Sequence, residues 1–328
     1  MVKMYNTSML TNITDEVNEY KKGNWINMVS PSEEEIKEVC ENLNIQEDFI
    51  RYALDFEEKA RIDMEEDDDT TLFIIDVPII EKEKASEGDE ETNYIYTTMP
   101  LGMIVVRDDY FITVSLKKNK IIEELESGIK SNRLKNIQTY KKSRLLLHIL
   151  YKNSSYYLTL LKRINRETEI AESVLKSSMR NKELLKLLSL DKSLVYLTTS
   201  LKSNEIVMEK TLRGKVIKLY EEYEYILDDA IIENKQAIEM SRIYSEILNG
   251  TMDAYASIIS NNLNVVMKFL TSITIVISIP TLIASFWGMN VPVPFQDNPY
   301  GFVILLVFSF AVGLVSMFWL KRKGMWRQ

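Results

Sequence analysis

The chain has 328 residues, 27% of them charged, and a net charge of −8, enough for one sizeable core or two modest ones. An acidic balance argues against a nucleic-acid partner and is compatible with cations. With one cysteine, Cys40, and one histidine, His148, an internal disulfide and a Cys/His zinc site within one subunit are excluded, and a reduced compartment is favoured. Almost all the charge lies before Lys268, and nearly all the sustained apolar sequence lies after it.

Residues 1–24 contain no apolar run of the kind a cleavable signal peptide needs. Alternating stretches predict strands over Trp25–Val29, Arg61–Met64, Thr71–Ile80, Tyr94–Thr98, Met103–Arg107 and Tyr110–Ser115, with Asp108-Asp109 as a hairpin turn. Ser30-Pro31-Ser32-Glu33 is a helix-start signal, and helices are expected over Glu33–Leu43, Glu47–Glu57 and Lys120–Glu126. Glu65, Glu66, Asp67, Asp68 and Asp69 read either as a solvated edge or as a regulatory cation patch. Glu81–Glu91 is acidic without a hydrophobic period and reads as a flexible loop. Residues 1–128 are therefore expected to form an α+β domain.

Beyond it the pattern turns helical, over residues 129–267. Leu145, Leu146, Ile149, Leu150, Leu158, Leu161 and Ile164 recur at helical spacing, and Leu184, Leu185, Leu187, Leu188 and Leu194 continue it. From Lys215 to Pro280 no proline intervenes, and Gly250 is the only glycine. One helix from about Val216 to Trp287 is predicted, about 100 Å long at ~1.5 Å per residue. A helix so long and polar needs partners, so self-association is expected.

Two segments are able to cross a bilayer. Phe269–Trp287 has 19 residues and Gly301–Leu320 has 20, all uncharged, against a requirement of roughly 20. Residues 268–288 and 301–320 thus form a hairpin around a proline-rich connection, 289–300, and are followed by a basic tail, 321–328. Lys321, Arg322, Lys323 and Arg327 follow the second span, whereas the connection has no basic residue. The positive-inside rule places the connection outside and both termini in the cytoplasm. Trp287, Tyr300, Trp319 and Trp326 fall where interfacial aromatics are expected.

Steps of three and four along the long helix reach Asp253, Ser257, Ser260, Asn264, Met267, Thr271, Thr274, Ser278, Thr281, Ser285 and Gly288. All but Met267 are polar or small. An average spacing of 3.5 keeps one face on a common axis when helices pack together. Such a face suits a water-filled path or close helix packing, since Ser and Thr also bond back to their own carbonyls. Its continuation below the span to Asn264 and Asp253 favours the path, because packing does not need a carboxylate on that line.

At the outer end of this helix stands Gly288-Met289-Asn290, after Phe286-Trp287. In this place the tripeptide resembles the signature of the CorA-type magnesium channel family, and the resemblance is sharpest from Asp253 to Gly324. It implies a funnel-shaped homo-oligomer, a pentamer, in the inner (plasma) membrane. Each subunit would carry an α/β cytoplasmic domain, a long stalk and pore helix, and an outer second helix ending in basic residues. Carried over by position, Gly288, Met289 and Asn290 resemble the selectivity filter. Thr281 and Asn264 resemble lower ion positions, Met267 and Leu270 the apolar gate, and Asp253 the cytoplasmic exit ring. Hydrated Mg2+ passes Asn290, Thr281, Asn264 and Asp253 on this reading. Asp229, beside Asp228, is similar to the stalk position where intracellular Mg2+ bridges subunits and holds the family's channels closed.

The chemistry agrees with the resemblance. Mg2+ sheds water reluctantly, so a ring of Asn290 carboxamides and Gly288 carbonyls offers dipoles without a charge trap, and apolar rings stop conduction by dewetting. A membrane potential supplies about 4.6 kcal/mol per 100 mV for a divalent ion. No Gly-rich phosphate loop occurs, no organic cofactor is expected, and an enzyme is not the reading. Met289 favours magnesium, since zinc-transporting relatives replace it; Co2+, Ni2+ or Zn2+ transport is the alternative within the family. A non-conducting, membrane-anchored helical scaffold is the alternative outside it. Two features depart from the family pattern. Ser278 stands where a bulky apolar residue is common, and the connection offers only Asp297 where the family's outer loops are often acidic.

Overall fold

The computed structural model describes residues 1–65, 69–82, 94–107, 109–130, 137–178, 181–213, 216–217, 220–294 and 298–325. These form two compact units, Met1–Asn249 and Gly250–Gln328.

The first unit is built on a seven-stranded sheet in the order β2-β1-β3-β7-β6-β5-β4. Its strands are β1 Val2–Thr7, β2 Thr14–Val17, β3 Trp25–Val29, β4 Arg61–Glu65, β5 Thr70–Lys82, β6 Tyr94–Val106 and β7 Tyr110–Ser115. Only the β3–β7 pair is parallel; the other pairs are antiparallel. Side chains alternate between two cores, as the period of two requires. Phe73, Ile75 and Val77 enter one core with Met103 and Phe111. Leu72 and Ile74 enter the other with Ile104 and Ile112.

Helices cover both faces. α1 (Glu33–Leu43) and α2 (Glu47–Tyr52) bury Ile36, Val39, Phe49 and Ile50 on one side. α1 begins with a full capping box, in which Ser32 accepts from Glu35 N–H and Glu35 accepts from Ser32 N–H. On the other side lie α3 (Lys120–Lys130), α4 (Lys142–Ser178), α5 (Asn181–Arg213) and the start of α6 (Glu221–Trp287), contributing Ile122, Leu146, Leu150, Val207, Tyr223 and Leu227.

β5 and β6 run past their neighbours as a two-stranded arm. β4 pairs with β5 only as far as Ile74, and β7 with β6 only as far as Leu101. The bared edges are met by side chains of α4 and α5. Asn204 takes the Asp76 N–H and gives its own N–H to the Asp76 carbonyl, both at 2.8 Å. That carbonyl also accepts from Asn153 at 2.9 Å and Tyr157 at 3.1 Å, while Ser193 accepts from Tyr96 N–H at 3.1 Å. An unpaired edge is thereby closed against another chain.

Several expected elements differ. β1 and β2 were not legible, because Thr14–Val17 carries two acids and little apolar character. The strands expected at Tyr94–Thr98 and Met103–Arg107 are one strand, β6, running through Pro100 opposite Asp76. α2 stops at Tyr52 instead of Glu57, since Asp55 Oδ1 turns the chain by accepting Glu57 N–H. Tight packing adds to this: a methyl on Gly102 would fall 2.4 Å from Ala53 Cβ. α3 continues to Lys130. Glu81 and Lys82 are not in a loop but end β5, paired with Ile95 and Tyr94, and Glu81 bonds Lys117 at 2.6 Å. The rest of the Glu81–Glu91 segment, Glu66–Asp68, Asp108, Asp297, Trp326 and Arg327 lie outside the described residues. α6 starts at Glu221 rather than Val216 and is continuous across Pro280.

The second unit contains the remainder of α6 and α7 (Gly301–Arg322). Both helices are long and apolar enough to cross a membrane, with mean hydropathies of 2.0 and 2.5 in their most apolar stretches.

Candidate functional site

In the second unit one side of α6 is committed to α7. Pro280 has no N–H, so the Val276 carbonyl loses its intrahelical donor. Gly313 of α7 comes up against that place: a methyl there would lie 3.5 Å from Pro280 Cγ and 3.9 Å from the Val276 oxygen. Ser272 on α6 is buried, and on α7 so are Gly301, Ser309, Gly313 and Leu320. Val276, Ile279, Pro280, Ile283 and Trp287 are half-buried. Ser309 and Gly313, four residues apart, are the small pair that lets two spans approach. That spacing was readable in the sequence but was overlooked there.

The other side of α6 is free within the chain. Asp253, Ser257, Ser260, Asn264, Met267, Leu270, Thr271, Thr274, Ser278, Thr281, Ser285, Gly288, Met289 and Asn290 are all exposed. Met267 is 52% and Leu270 55% exposed, so neither apolar side chain has a place in the chain's own core.

Most hydroxyls on this face bond inward to the preceding turn. Ser257 donates to the Asp253 carbonyl at 3.0 Å, Thr271 to Met267 at 2.8 Å and Thr274 to Leu270 at 2.9 Å. Ser278 donates to Thr274 at 2.7 Å and Thr281 to Ile277 at 3.0 Å. Each hydroxyl proton is thus engaged, and its lone pairs are left to accept. The result is a column of acceptors, suited to the water protons of a hydrated cation.

The helix ends at the tripeptide. Gly288 N–H reaches the Ala284 carbonyl at 3.0 Å and Met289 N–H the Phe286 carbonyl at 3.4 Å. A methyl on Gly288 would meet nothing closer than 3.5 Å, so the chain itself does not demand glycine there. Trp287 Nε1 donates to the Pro294 carbonyl at 2.9 Å and ties down the connection. Asn298 starts α7 by accepting from Tyr300 N–H through its side chain and from Gly301 N–H through its carbonyl, both at 2.9 Å.

The described regulatory candidates, Glu65, Asp69, Asp228 and Asp229, form no cluster of three. Asp228 and Asp229 are exposed on α6. Glu65 accepts from Gln46 at the end of β4, and Asp69 occupies a left-handed turn, φ 48°. Among the described residues no three His, Cys, Asp or Glu side chains converge. Cys40 and His148 belong to the fold: burial pushes the thiol up to about 11. Burial, with Lys152 and Arg144 adding to it, brings the imidazole down to about 4, so it is neutral at physiological pH.

A sheet-bearing unit, a helix that passes from it into an apolar span, and a second span folded back on the first define a two-span integral membrane protein. The chain belongs to the family described as CorA-like Mg2+ transporter protein, whose model matches residues 20–322. It is 27% identical over 301 residues to the Cobalt/magnesium transport protein CorA of Methanocaldococcus jannaschii, covering 92% of this chain and 90% of that protein. To the Cobalt/magnesium transport protein CorA of Thermotoga maritima it is 26% identical over 179 residues, 51% of this chain and 48% of the relative. The complete structure of the CorA magnesium transporter from Methanocaldococcus jannaschii superposes with a TM-score of 0.83 at 26% identity, covering 98% of each chain.

Proposed function

We propose that this chain is the subunit of a homopentameric channel that admits Mg2+ down its electrochemical gradient and closes when intracellular Mg2+ is high. One observation carries the reading: the polar line from Asp253 to Asn290 is exposed along its whole length, while α7 is packed toward the Val276–Pro280 side. Copies arranged with that line inward form a path of hydroxyls and carboxamides. Asn290 and the Gly288 and Met289 backbones act as the outer filter. Thr281, Asn264 and Asp253 hold hydrated Mg2+ in turn, and Met267 and Leu270 close the path by dewetting. Ser257, Ser260, Thr271, Thr274, Ser278 and Ser285 complete the wall. The connection without basic residues lies outside, and Lys321, Arg322 and Lys323 lie in the cytoplasm with the first unit. Residues 1–128 serve as the cytoplasmic α/β domain, 129–267 as the helical region with the stalk, and 268–288 and 301–320 as the spans.

Proteoliposomes containing a Mg2+-sensitive dye test this directly. The parent protein takes up Mg2+ under an inside-negative potential. Asn290→Ala loses uptake yet keeps its oligomeric size, because it removes dipoles at the mouth and little packing. Normal flux in the alanine variant would take Asn290 out of the mechanism.

A cobalt reading is also favoured, by the names of the relatives, which pair cobalt with magnesium. Competition by Co2+, Ni2+ and Zn2+ in the same assay ranks the ions. Asp229 is the proposed regulatory position; among the described residues no acidic cluster forms in one chain, and on this reading its partners belong to a neighbouring subunit.

A further inference from the structure

The first unit has a small cavity beside the start of α3, distant in sequence from the polar line. Its volume is about 70 Å³, and Lys3, Asn27, Lys118, Asn119, Glu123 and Glu126 line it. That is room for roughly five waters, or a molecule with about five heavy atoms, at ~10–15 Å³ for each water.

Asn119 is only 5% exposed. Its Oδ1 accepts from Ile122 N–H at 2.9 Å and so caps α3, which fixes the amide's orientation. The Nδ2 group is then left buried with no partner, which costs stability unless an acceptor fills the place. Lys118 and the partial positive charge of the helix N-terminus add to the demand for an acceptor.

The opposite sign is present as well. Glu126 is already served by the chain: Tyr5 OH at 3.1 Å, Asn27 Nδ2 at 2.8 Å and Lys3 Nζ at 3.8 Å. Glu123 stands in the first turn of α3 as a second carboxylate on the cavity wall. A simple anion would be repelled by Glu123, and a simple cation would leave Asn119 unmet beside Lys118. A ligand with both charges a few bonds apart satisfies each.

We infer that this cavity binds a small zwitterionic α-amino acid, its carboxylate on Asn119 Nδ2 and Lys118 and its ammonium on Glu123. The volume matches glycine or a close homologue.

Calorimetric titration of the full chain in detergent with glycine tests the site, with inorganic phosphate and methylamine as singly signed probes. Saturable glycine binding is expected, at least about tenfold tighter than either probe. Asn119→Ser and Asn119→Asp both retain a capping oxygen but lose the amide donor, and each weakens glycine about tenfold or more. Lys118→Met and Glu123→Gln, at exposed side chains, do the same and cover the case in which residue 119 variants fail to fold. The inference is overturned if glycine gives no saturable heat, or if Asn119→Asp and Lys118→Met bind it like the parent. Phosphate binding alone would make this an anion site, and methylamine binding alone a cation site, and either result rejects the zwitterion.

Discussion

Replacing Thr281 by valine separates a water-facing column from a packing face. The Thr281 hydroxyl donates to the Ile277 carbonyl at 3.0 Å and its side chain is exposed, so within one chain valine loses one local bond and no contact. Stability should change by less than about 1 kcal/mol. Flux should change far more. A lost water contact costs at the low end about 0.5 kcal/mol, so five copies in the proposed pentamer raise the barrier by about 2.5 kcal/mol, roughly seventyfold in rate. Gly313→Leu is the contrast. A methyl at 313 sits in ordinary contact with Pro280 Cγ at 3.5 Å, but the rest of a leucine has to displace the proline ring, at about 1–3 kcal/mol. Gly313→Leu therefore lowers thermal stability and flux together, whereas Thr281→Val lowers flux alone. Dye-reported Mg2+ uptake and thermal unfolding in detergent measure the two quantities. Uptake by Thr281→Val within twofold of the parent refutes a water-facing role for this line.

Met267→Gly or Leu270→Ser should raise resting leak, while Ile275→Ala and Ile277→Ala mainly lower stability; equal leak from both pairs argues for general loosening over a discrete gate. Asp229→Ala should remain active at millimolar internal Mg2+ and lose Mg2+-dependent protection from proteolysis. A variant that shuts off at the parent's concentration reduces Asp229 to a surface charge. Burial raises the Asp76 carboxyl from 3.8 to about 6, against a lowering hydrogen bond from Ser200. The fold then keeps a proton that the unfolded chain releases near 3.8, so stability falls between about pH 4 and 6, by on the order of 1–3 kcal/mol in full above 6. Asp76→Asn should raise the unfolding temperature at pH 8 and give no gain near pH 4; the same gain at both would show that ionisation is not its source.

What the sequence made legible follows from periodicity. The two spans, the sheet's central strands and the long helix announce themselves because apolar residues recur at a fixed step over many residues. The capped start of α1 was equally plain, since Ser32 and Glu35 act within one turn. β1 and β2 escaped because edge strands bury little and their polar positions break the alternation. On α5 the leucines were visible but their facing was not: Leu187 and Leu194 are buried, whereas Leu185 is 66% and Leu188 51% exposed. The hold of Asn204 on the Asp76 peptide joins residues 128 positions apart. No local pattern carries such a pairing. The polar line was legible as a spacing of three and four, but only the fold shows that the side committed to α7 is a different one.

That separation bears on the choice between a path and a packing seam. Hydroxyls that donate to their own helix are tolerated in hydrocarbon, so the back-bonds of Thr271, Thr274, Ser278 and Thr281 explain why these residues are allowed in a span. They do not explain why all of them fall on one face. Packing against α7 does not explain it either, because α7 approaches Val276 and Pro280 through Gly313. Asn264 and Asn290 cannot hide both an amide donor and a carbonyl on the preceding turn, and Asp253 carries a full charge. All three stand on the same exposed face as the hydroxyls. For such groups the stable neighbours are water or polar groups from other copies of the chain. These three lie outside the span of residues 268–288, where the polar line runs on into water, and the proposed assembly that turns the line inward gives the hydroxyls within the span the same surroundings.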